Sequence, residues 1–287
     1  MIERSGRDLL NAESHFAFGK NWESYAELID ASRISEAQRS LARLLGNEGL
    51  AGKRFLDIGC GSGLHSLAAL RLGATEVLAV DIDADSVATA AAVLSRHAPG
   101  KNFSVRQASV FEMAPTAFGQ FDVVYSWGVL HHTGDLRRAL RSASALVAPG
   151  GLFVFALYRK TWSCGFWKLE KRWYAHAEPA AQRKVCAVYL GLYRVGLGIR
   201  GRSFRRYVDS YKTRGMDFYH DVHDWLGGYP YESMSSREVA GVMTELSMVP
   251  VRAFLHLGRL GRLLGRNPGF LGSGCDEYVY ARPRDSA

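Results

Sequence analysis

The sequence has no C-x-x-C pair: its four cysteines, Cys60, Cys164, Cys186 and Cys275, are scattered. Scattered thiols exclude a disulfide framework and a cysteine-held zinc, so they read as buried or incidental and no metal is expected. No uninterrupted apolar run approaches the roughly 18 residues of a membrane span. The first residues, MIERSGRDLLNAESHF, carry charges where a secretory signal needs an apolar core. These absences predict a cytoplasmic protein without a membrane span. There is also no internal repeat and no low-complexity tract.

What is present is enough apolar material for a core, 47% of 287 residues, and an excess of positive charge, 36 Lys and Arg against 28 Asp and Glu. The excess is uneven. Arg183, Lys184, Arg194, Arg200, Arg202, Arg205, Arg206, Lys212 and Arg214 crowd one segment, and Arg252, Arg259, Arg262 and Arg266 another. Such clusters permit a polyanionic partner, but they equally describe a solvated helical face.

From residue 53 to about 157, short β-rich runs alternate with helix-length amphipathic ones. RFLDIG, EVLAVDID, FSVRQAS, FDVVYSWG and LFVFALY read as strands, and residues 64–72, 84–96 and 135–147 as helices. Asp83 and Asp85 mark the start of the second helix. This rhythm predicts an α/β fold with a doubly wound, mostly parallel sheet. Residues 1–50 read as a helical lid, with Phe18, Trp22 and Tyr25 at helical spacing. Residues 158–232 break the rhythm: they hold four of the six tryptophans and no clean strand, and read as an irregular helical insertion. A helix from Ser236 to Ser247, a strand near VRAFLHL, a basic loop over 258–274 and a final strand DEYVYARP then complete the sheet over 233–287.

The stretch FLDIGCGSG places three glycines in five residues between a strand and a helix, where bare backbone N–H groups can meet an anionic group. A dinucleotide fingerprint needs glycines at 59, 61 and 64, but position 64 is Leu; a phosphate loop needs a Gly-Lys-Ser/Thr that does not follow. Asp57, two residues before the first glycine, would repel a pyrophosphate and attract an ammonium. Asp81 ends the next strand, where it can accept two ribose hydroxyls, with Ile82 beside it to lie on a flat base. The ligand these positions describe has an amino-acid end, a ribose and an adenine-like ring.

FLDIGCGSG, VDID, FDVVYSWGVLHH and LVAPGGLFVFAL, in this order and spacing, resemble the motifs of class I S-adenosylmethionine-dependent methyltransferases. FGKNW and DWLGGYPYE are similar, more loosely, to segments of bacterial ubiquinone-pathway O-methyltransferases. The resemblance implies a Rossmann-like sheet of seven strands, the last antiparallel, and S-adenosylmethionine as cofactor, with S-adenosylhomocysteine as product. It also implies that Asp57, Gly59, Cys60 and Gly61 hold the methionine part, Asp81 the ribose and Ile82 one face of adenine. Ser109 stands where many relatives have an Asp that bonds the adenine amino group; a hydroxyl accepts one bond there, with Val110 and Phe111 adding contacts. Ser126, Trp127 and Gly128 pass near the sulfonium. The indole of Trp127 either meets that cation or walls the pocket. Phe18 and Trp22, from their helical spacing, either pack into the core or close a lid on the cofactor.

Methyl transfer from a sulfonium is an in-line displacement in which positioning and exclusion of water matter most, and a base is needed only for a protonated nucleophile. His131, His132, His220, Asp221, His223 and Asp224 are the candidates, histidine being suited by its near-neutral pKa. FYHDVHDWLGGYPYE packs acids, histidines and aromatics as a small-molecule pocket does. Tyr158, Trp225, Tyr229 and Tyr231 are therefore acceptor-site candidates, and Arg205, Arg206 and Arg214 could bind an acidic acceptor or face solvent. The expected activity is methylation, at oxygen, of a small-molecule or glycan-type acceptor. The alternatives are an RNA or tRNA methyltransferase, opposed by the absence of an RNA-binding module; a non-catalytic cofactor-binding protein; and an NAD-dependent dehydrogenase, opposed by Leu64.

Overall fold

The computed structural model describes residues 18–212, 218–255 and 274–284. Arg214 and most of the 258–274 loop lie outside the described residues. Two helices, α1 (Phe18–Ala26) and α2 (Ala31–Leu45), precede β1 (Arg54–Ile58), α3 (Leu64–Arg71), β2 (Glu76–Asp81), α4 (Ala84–His97) and β3 (Phe103–Gln107). Then come a short α5 (Pro115–Phe118), β4 (Phe121–Trp127), α6 (Leu136–Ala145) and β5 (Val147–Tyr158). The helical region contains α7 (Cys164–His176), α8 (Pro179–Ile199), α9 (Phe204–Lys212) and α10 (Phe218–Gly227); α11 (Ser236–Glu245), β6 (Val249–Phe254) and β7 (Cys275–Ala281) follow.

The seven strands form one sheet in the order β3-β2-β1-β4-β5-β7-β6. β7 runs antiparallel to both β5 and β6, and the other neighbours are parallel. This is the mostly parallel, doubly wound α/β sheet that the strand–helix alternation predicts.

The apolar strand runs are continuous because successive side chains serve two buried faces. Phe55, Val77, Ala79, Val123 and Val154 join α2, α3 and α4 on one face. Leu56, Leu78, Val80, Val124 and Phe153 join α6 and α11 on the other. The helix starts are capped as their sequences require. Asp83 and Asp135 accept from backbone N–H groups at the starts of α4 and α6, and Ser235 and Glu238 form a reciprocal capping box on α11.

Two expectations need correction. β5 starts at Val147, five residues before LFVFALY, and runs through Pro149-Gly150-Gly151. It does so because Gly151 passes so close to β4 that a Cβ there would lie 2.8 Å from Asp122 O. The second concerns residues 158–232, whose described part is built mainly of the four regular helices α7 to α10, the longest being the 21-residue α8 with Pro179 in its first turn. Their inward faces make a third apolar cluster that includes Trp167, Tyr174, Phe218, Val222, Leu226 and Tyr231. The aromatics that mark this stretch in the sequence are the core of a helical layer.

The helical region is fastened to the sheet where it leaves and where it returns. Met234 N–H donates to Tyr158 O (3.1 Å) and Lys160 N–H to Met234 O (3.1 Å), with a parallel bridge between Arg159 and Met234. Glu232 N–H donates to His131 O (2.9 Å), and the Glu232 carboxylate accepts from Leu136 N–H (2.7 Å). Among the described residues no helix is long and apolar enough to cross a membrane.

Candidate functional site

The parallel register of β1 and β2, Ile58 opposite Val80, brings the glycine loop beside the end of β2. Gly59, Gly61 and Gly63 have φ of +76°, +51° and +75°, a region that favours glycine. The turn is held by Gly59 N–H and Cys60 N–H, both donating to Val80 O at 2.8 and 3.0 Å. Asp81 completes the wall: Gly61 N–H donates to its Oδ2 (2.9 Å) and Asp83 N–H to its Oδ1 (3.0 Å). The surrounding protein pushes the Asp81 carboxyl up to about 6, against the lowering effect of those two N–H groups. Trp22 of α1 lies over this loop, so that a Cβ on Gly61 would fall 2.9 Å from its ring.

Asp57 is buried in β1 and accepts from Ser66 Oγ of α3 at 2.7 Å. Burial drives its carboxyl to about 7, opposed by the Ser66 bond and aided by the neighbouring Asp81 charge. The Cys60 thiol is also buried and shifted up by desolvation. Ser109 and Val110 are buried after β3; Ser109 Oγ accepts from Phe111 N–H (3.3 Å), and Arg138 lies over the Phe111 ring. Gln107 Nε2 donates to Ile82 O.

Ser126 Oγ donates to Ile58 O (3.0 Å), which ties β4 to β1 beneath the loop. The Trp127 indole N–H donates to Glu277 Oε1 (3.0 Å), and Arg43 engages the same carboxylate at 2.6 Å. Gly128 has φ +77° and open space where a Cβ would stand.

The second half of the site lies over the ends of β4 and β5. His131 follows β4 and is fully buried; its Nδ1 accepts a long bond from Tyr158 N–H (3.4 Å), and its ring stacks 3.9 Å from that of Tyr158. Burial, with His132 and Lys171 alongside, holds this imidazole well below the usual histidine range, so it is neutral. With Nδ1 accepting, the hydrogen sits on Nε2, and that atom is buried without a partner. His132 Nδ1 donates to Pro230 O at 2.7 Å.

Tyr158 meets Trp225 edge-on at 5.0 Å and Tyr231 at 5.4 Å. In the space these three rings surround lies a residue that the sequence reading missed: Lys171, fully buried, its Nζ 3.7 Å from the Trp225 ring centre. In the sequence Lys171 belongs to the charged run KLEKR, which reads as solvated. The only signal is its spacing, four residues after Trp167 and three before Tyr174, both on the buried face of α7.

His223 Nδ1 lies 2.9 Å from Tyr174 Oη, and Tyr231 Oη 3.3 Å from Cys164 Sγ. Tyr229 is half-buried, its ring 6.3 Å from that of His176. Arg205 and Arg206 are exposed on α9. His220 and Asp221 lie on α10 and Phe18 opens α1, but their side chains are outside the described residues. α10, which carries Trp225, touches both α7 and α1, so the aromatic box and the glycine loop share a boundary.

A family model described as a methyltransferase domain matches residues 29–190. The ubiquinone biosynthesis O-methyltransferase of Caulobacter sp. (strain K31) is 39% identical over 110 residues, 38% of this chain and 42% of that protein. That of Pseudomonas aeruginosa (strain LESB58) is 40% identical over 103 residues, 36% of this chain and 43% of that protein. The chain thus spans less than half the length of these curated relatives. Among solved structures, the N-methyltransferase NodS from Bradyrhizobium japonicum WM9 in complex with S-adenosyl-L-homocysteine aligns with a TM-score of 0.52 at 15% identity, covering 93% of this chain and 100% of that one. Magnesium protoporphyrin IX methyltransferase from Synechocystis PCC 6803 aligns with a TM-score of 0.51 at 14% identity, covering 88% and 83%. At such identities the likeness is one of fold.

Proposed function

The chain belongs to the methyltransferase domain family, and from that premise we propose that it moves the methyl group of S-adenosylmethionine to an oxygen of a small-molecule or glycan-type acceptor. The observation that carries the reading is the bond from Gly61 N–H to Asp81, which makes the glycine loop and the acid of the next strand one wall under Trp22. The residues fit the cofactor. Asp81 spends one lone pair on each oxygen and keeps two for ribose hydroxyls. Ser109, Val110 and Phe111 flank the same edge for the adenine, and Asp57 with the backbone of Gly59 to Gly61 serves the amino-acid end.

When bound, the cofactor supplies an electrophilic methyl on a sulfonium that departs as a neutral thioether. The chain's own part is to orient and to exclude water. Residues 1–50 act as the lid through Trp22, residues 51–157 bind the cofactor, residues 158–232 form the cap that selects the acceptor, and residues 233–287 complete the sheet. His131 presents a hydrogen at Nε2, so it orients an acceptor oxygen by donating to it. Among the acid–base candidates, His223 faces the Tyr174 hydroxyl. The O-methyltransferase activity of the curated relatives supports oxygen as the methylated atom.

The test is isothermal titration with S-adenosylhomocysteine of the wild type and of Asp81→Ala. Two charge-assisted bonds are lost, each worth about 1.5–3 kcal/mol, so affinity falls by roughly 10²–10⁴-fold. Equal affinity in the two proteins would overturn the reading.

A further inference from the structure

A buried ammonium group needs hydrogen-bond acceptors, and Lys171 has none: its Nζ is enclosed without a partner. The ring of Trp225 at 3.7 Å, with Tyr231 at 5.3 Å and Tyr158 at 5.9 Å, offers cation–π attraction. That attraction accepts no hydrogen bond. Glu170, next in the chain, does not supply the acceptor. Neighbouring positions on a helix point about 100° apart, and both Glu170 carboxylate oxygens lack partners of their own.

Nor is Lys171 alone. His131 Nε2, Trp167 Nε1 and Trp225 Nε1 are likewise buried and unpartnered. The two indoles lie 5.5 Å apart, and His131 is joined to the box through Tyr158. Four unpartnered donors therefore belong to the box and to its neighbour His131, and the one carboxylate whose charge acts on Lys171, that of Glu170, hydrogen-bonds to none of them. Two walls of the box, Tyr158 and Trp225, are only half-buried.

We propose that Lys171, with His131 Nε2–H beside it, is the anchor for an anionic oxygen of the methyl acceptor, so that the acceptor is a small molecule carrying a carboxylate or a phenolate. This rests on the methyltransferase reading of the same site. The exposed arginines of α9, singled out in the sequence, are not needed for it. Burial holds the Lys171 amine below the usual lysine range, opposed by the neighbouring Glu170 charge. An entering anion restores the ammonium and takes its hydrogen bonds.

The test uses protein saturated with S-adenosylhomocysteine, titrated calorimetrically with benzoate, 4-nitrophenolate and uncharged benzamide, for the wild type and for Lys171→Met. Methionine keeps the apolar side chain out to Cε and removes the ammonium and its charge, and urea denaturation of the variant checks that it folds. Expected is at least a tenfold preference of the wild type for one of the two anions over benzamide, lost in Lys171→Met, with S-adenosylhomocysteine affinity unchanged. Which anion is preferred tells carboxylate from phenolate. The proposal is overturned if neither anion binds better than benzamide, or if Lys171→Met keeps the preference within twofold. The wild-type preference is readable even if the variant folds poorly. Failure of the wild type to bind S-adenosylhomocysteine would instead overturn the underlying methyltransferase reading.

Discussion

If Trp22 covers the glycine loop, replacing Gly61 by alanine must be felt by Trp22, and the two residues must couple. Gly61 has φ +51°, and an L-residue in that left-handed region costs about 1–2 kcal/mol by itself. The added Cβ would stand 2.9, 3.0 and 3.1 Å from Cε2, Cδ2 and Nε1 of Trp22, where carbon–carbon contact needs about 3.5–4.0 Å. The indole must retreat by about half an ångström or more. It then gives up part of its packing on the first apolar cluster and its edge-on contact with Tyr25 at 5.6 Å. A fully buried large apolar side chain is worth about 1.5–3 kcal/mol, so a half-buried one that lifts away forfeits about 1–2 kcal/mol. Gly61→Ala should therefore destabilise the wild type by about 2–4 kcal/mol but a Trp22→Ala background by only the 1–2 kcal/mol of backbone strain. Urea denaturation of the four proteins, with unchanged slopes, gives the coupling directly. A coupling within about 0.5 kcal/mol of zero would mean that α1 does not sit on the loop in solution.

Two more outcomes are expected. Cofactor binding should release protons near pH 6, because the Asp81 carboxyl, raised to about 6, must ionise to accept ribose hydroxyls. Asp57, raised to about 7, must likewise ionise to meet the ammonium, so affinity for S-adenosylhomocysteine should hold above pH 7 and fall as pH drops through 7 and then 6, by up to about tenfold per unit for each group. The calorimetric enthalpy should depend on buffer ionisation heat at pH 5.5 and much less at pH 7.5, and a flat profile would rule out titration of Asp81. Ser235→Ala removes one arm of the capping box on α11, where Ser235 Oγ accepts from Glu238 N–H. It should lower stability by about 1 kcal/mol in chemical denaturation with no change in cofactor affinity. A loss below about 0.3 kcal/mol would show the box to be solvent-replaceable.

The fold was legible where the pattern is local. Continuous apolar runs read as buried parallel strands, and Asp83 and Asp85 announced α4. The start of β5 was not, because Ala-Pro-Gly-Gly carries turn chemistry and only the approach of β4 explains why glycine continues a strand. Asp81 and Gly61 were readable as separate positions, but their bond spans twenty residues of chain and depends on the β1–β2 register. The same holds for Asp57, whose partner Ser66 is set by the way α3 folds back on β1. Lys171 was the least legible. A lysine in a charged run is ordinarily solvated, and only its spacing from Trp167 and Tyr174 hints at what the packing of α7 against α10 reveals, that this one of the run's four charged residues turns inward.

The way the helical region joins the sheet has a consequence for how such a chain can change its chemistry. The polypeptide leaves β5 at Tyr158 and is back in register with it at Met234, so to the sheet everything between is a handle with its two ends clasped. Closing a longer handle costs only about 0.6 kcal/mol per doubling of its length. The edge that grips the cofactor is therefore nearly indifferent to how much chain the handle contains or how that chain is arranged. Under the division of labour proposed above, acceptor preference would be exchangeable as a block, by grafting a different handle onto the same clasp, with the glycine loop and Asp81 left as they are.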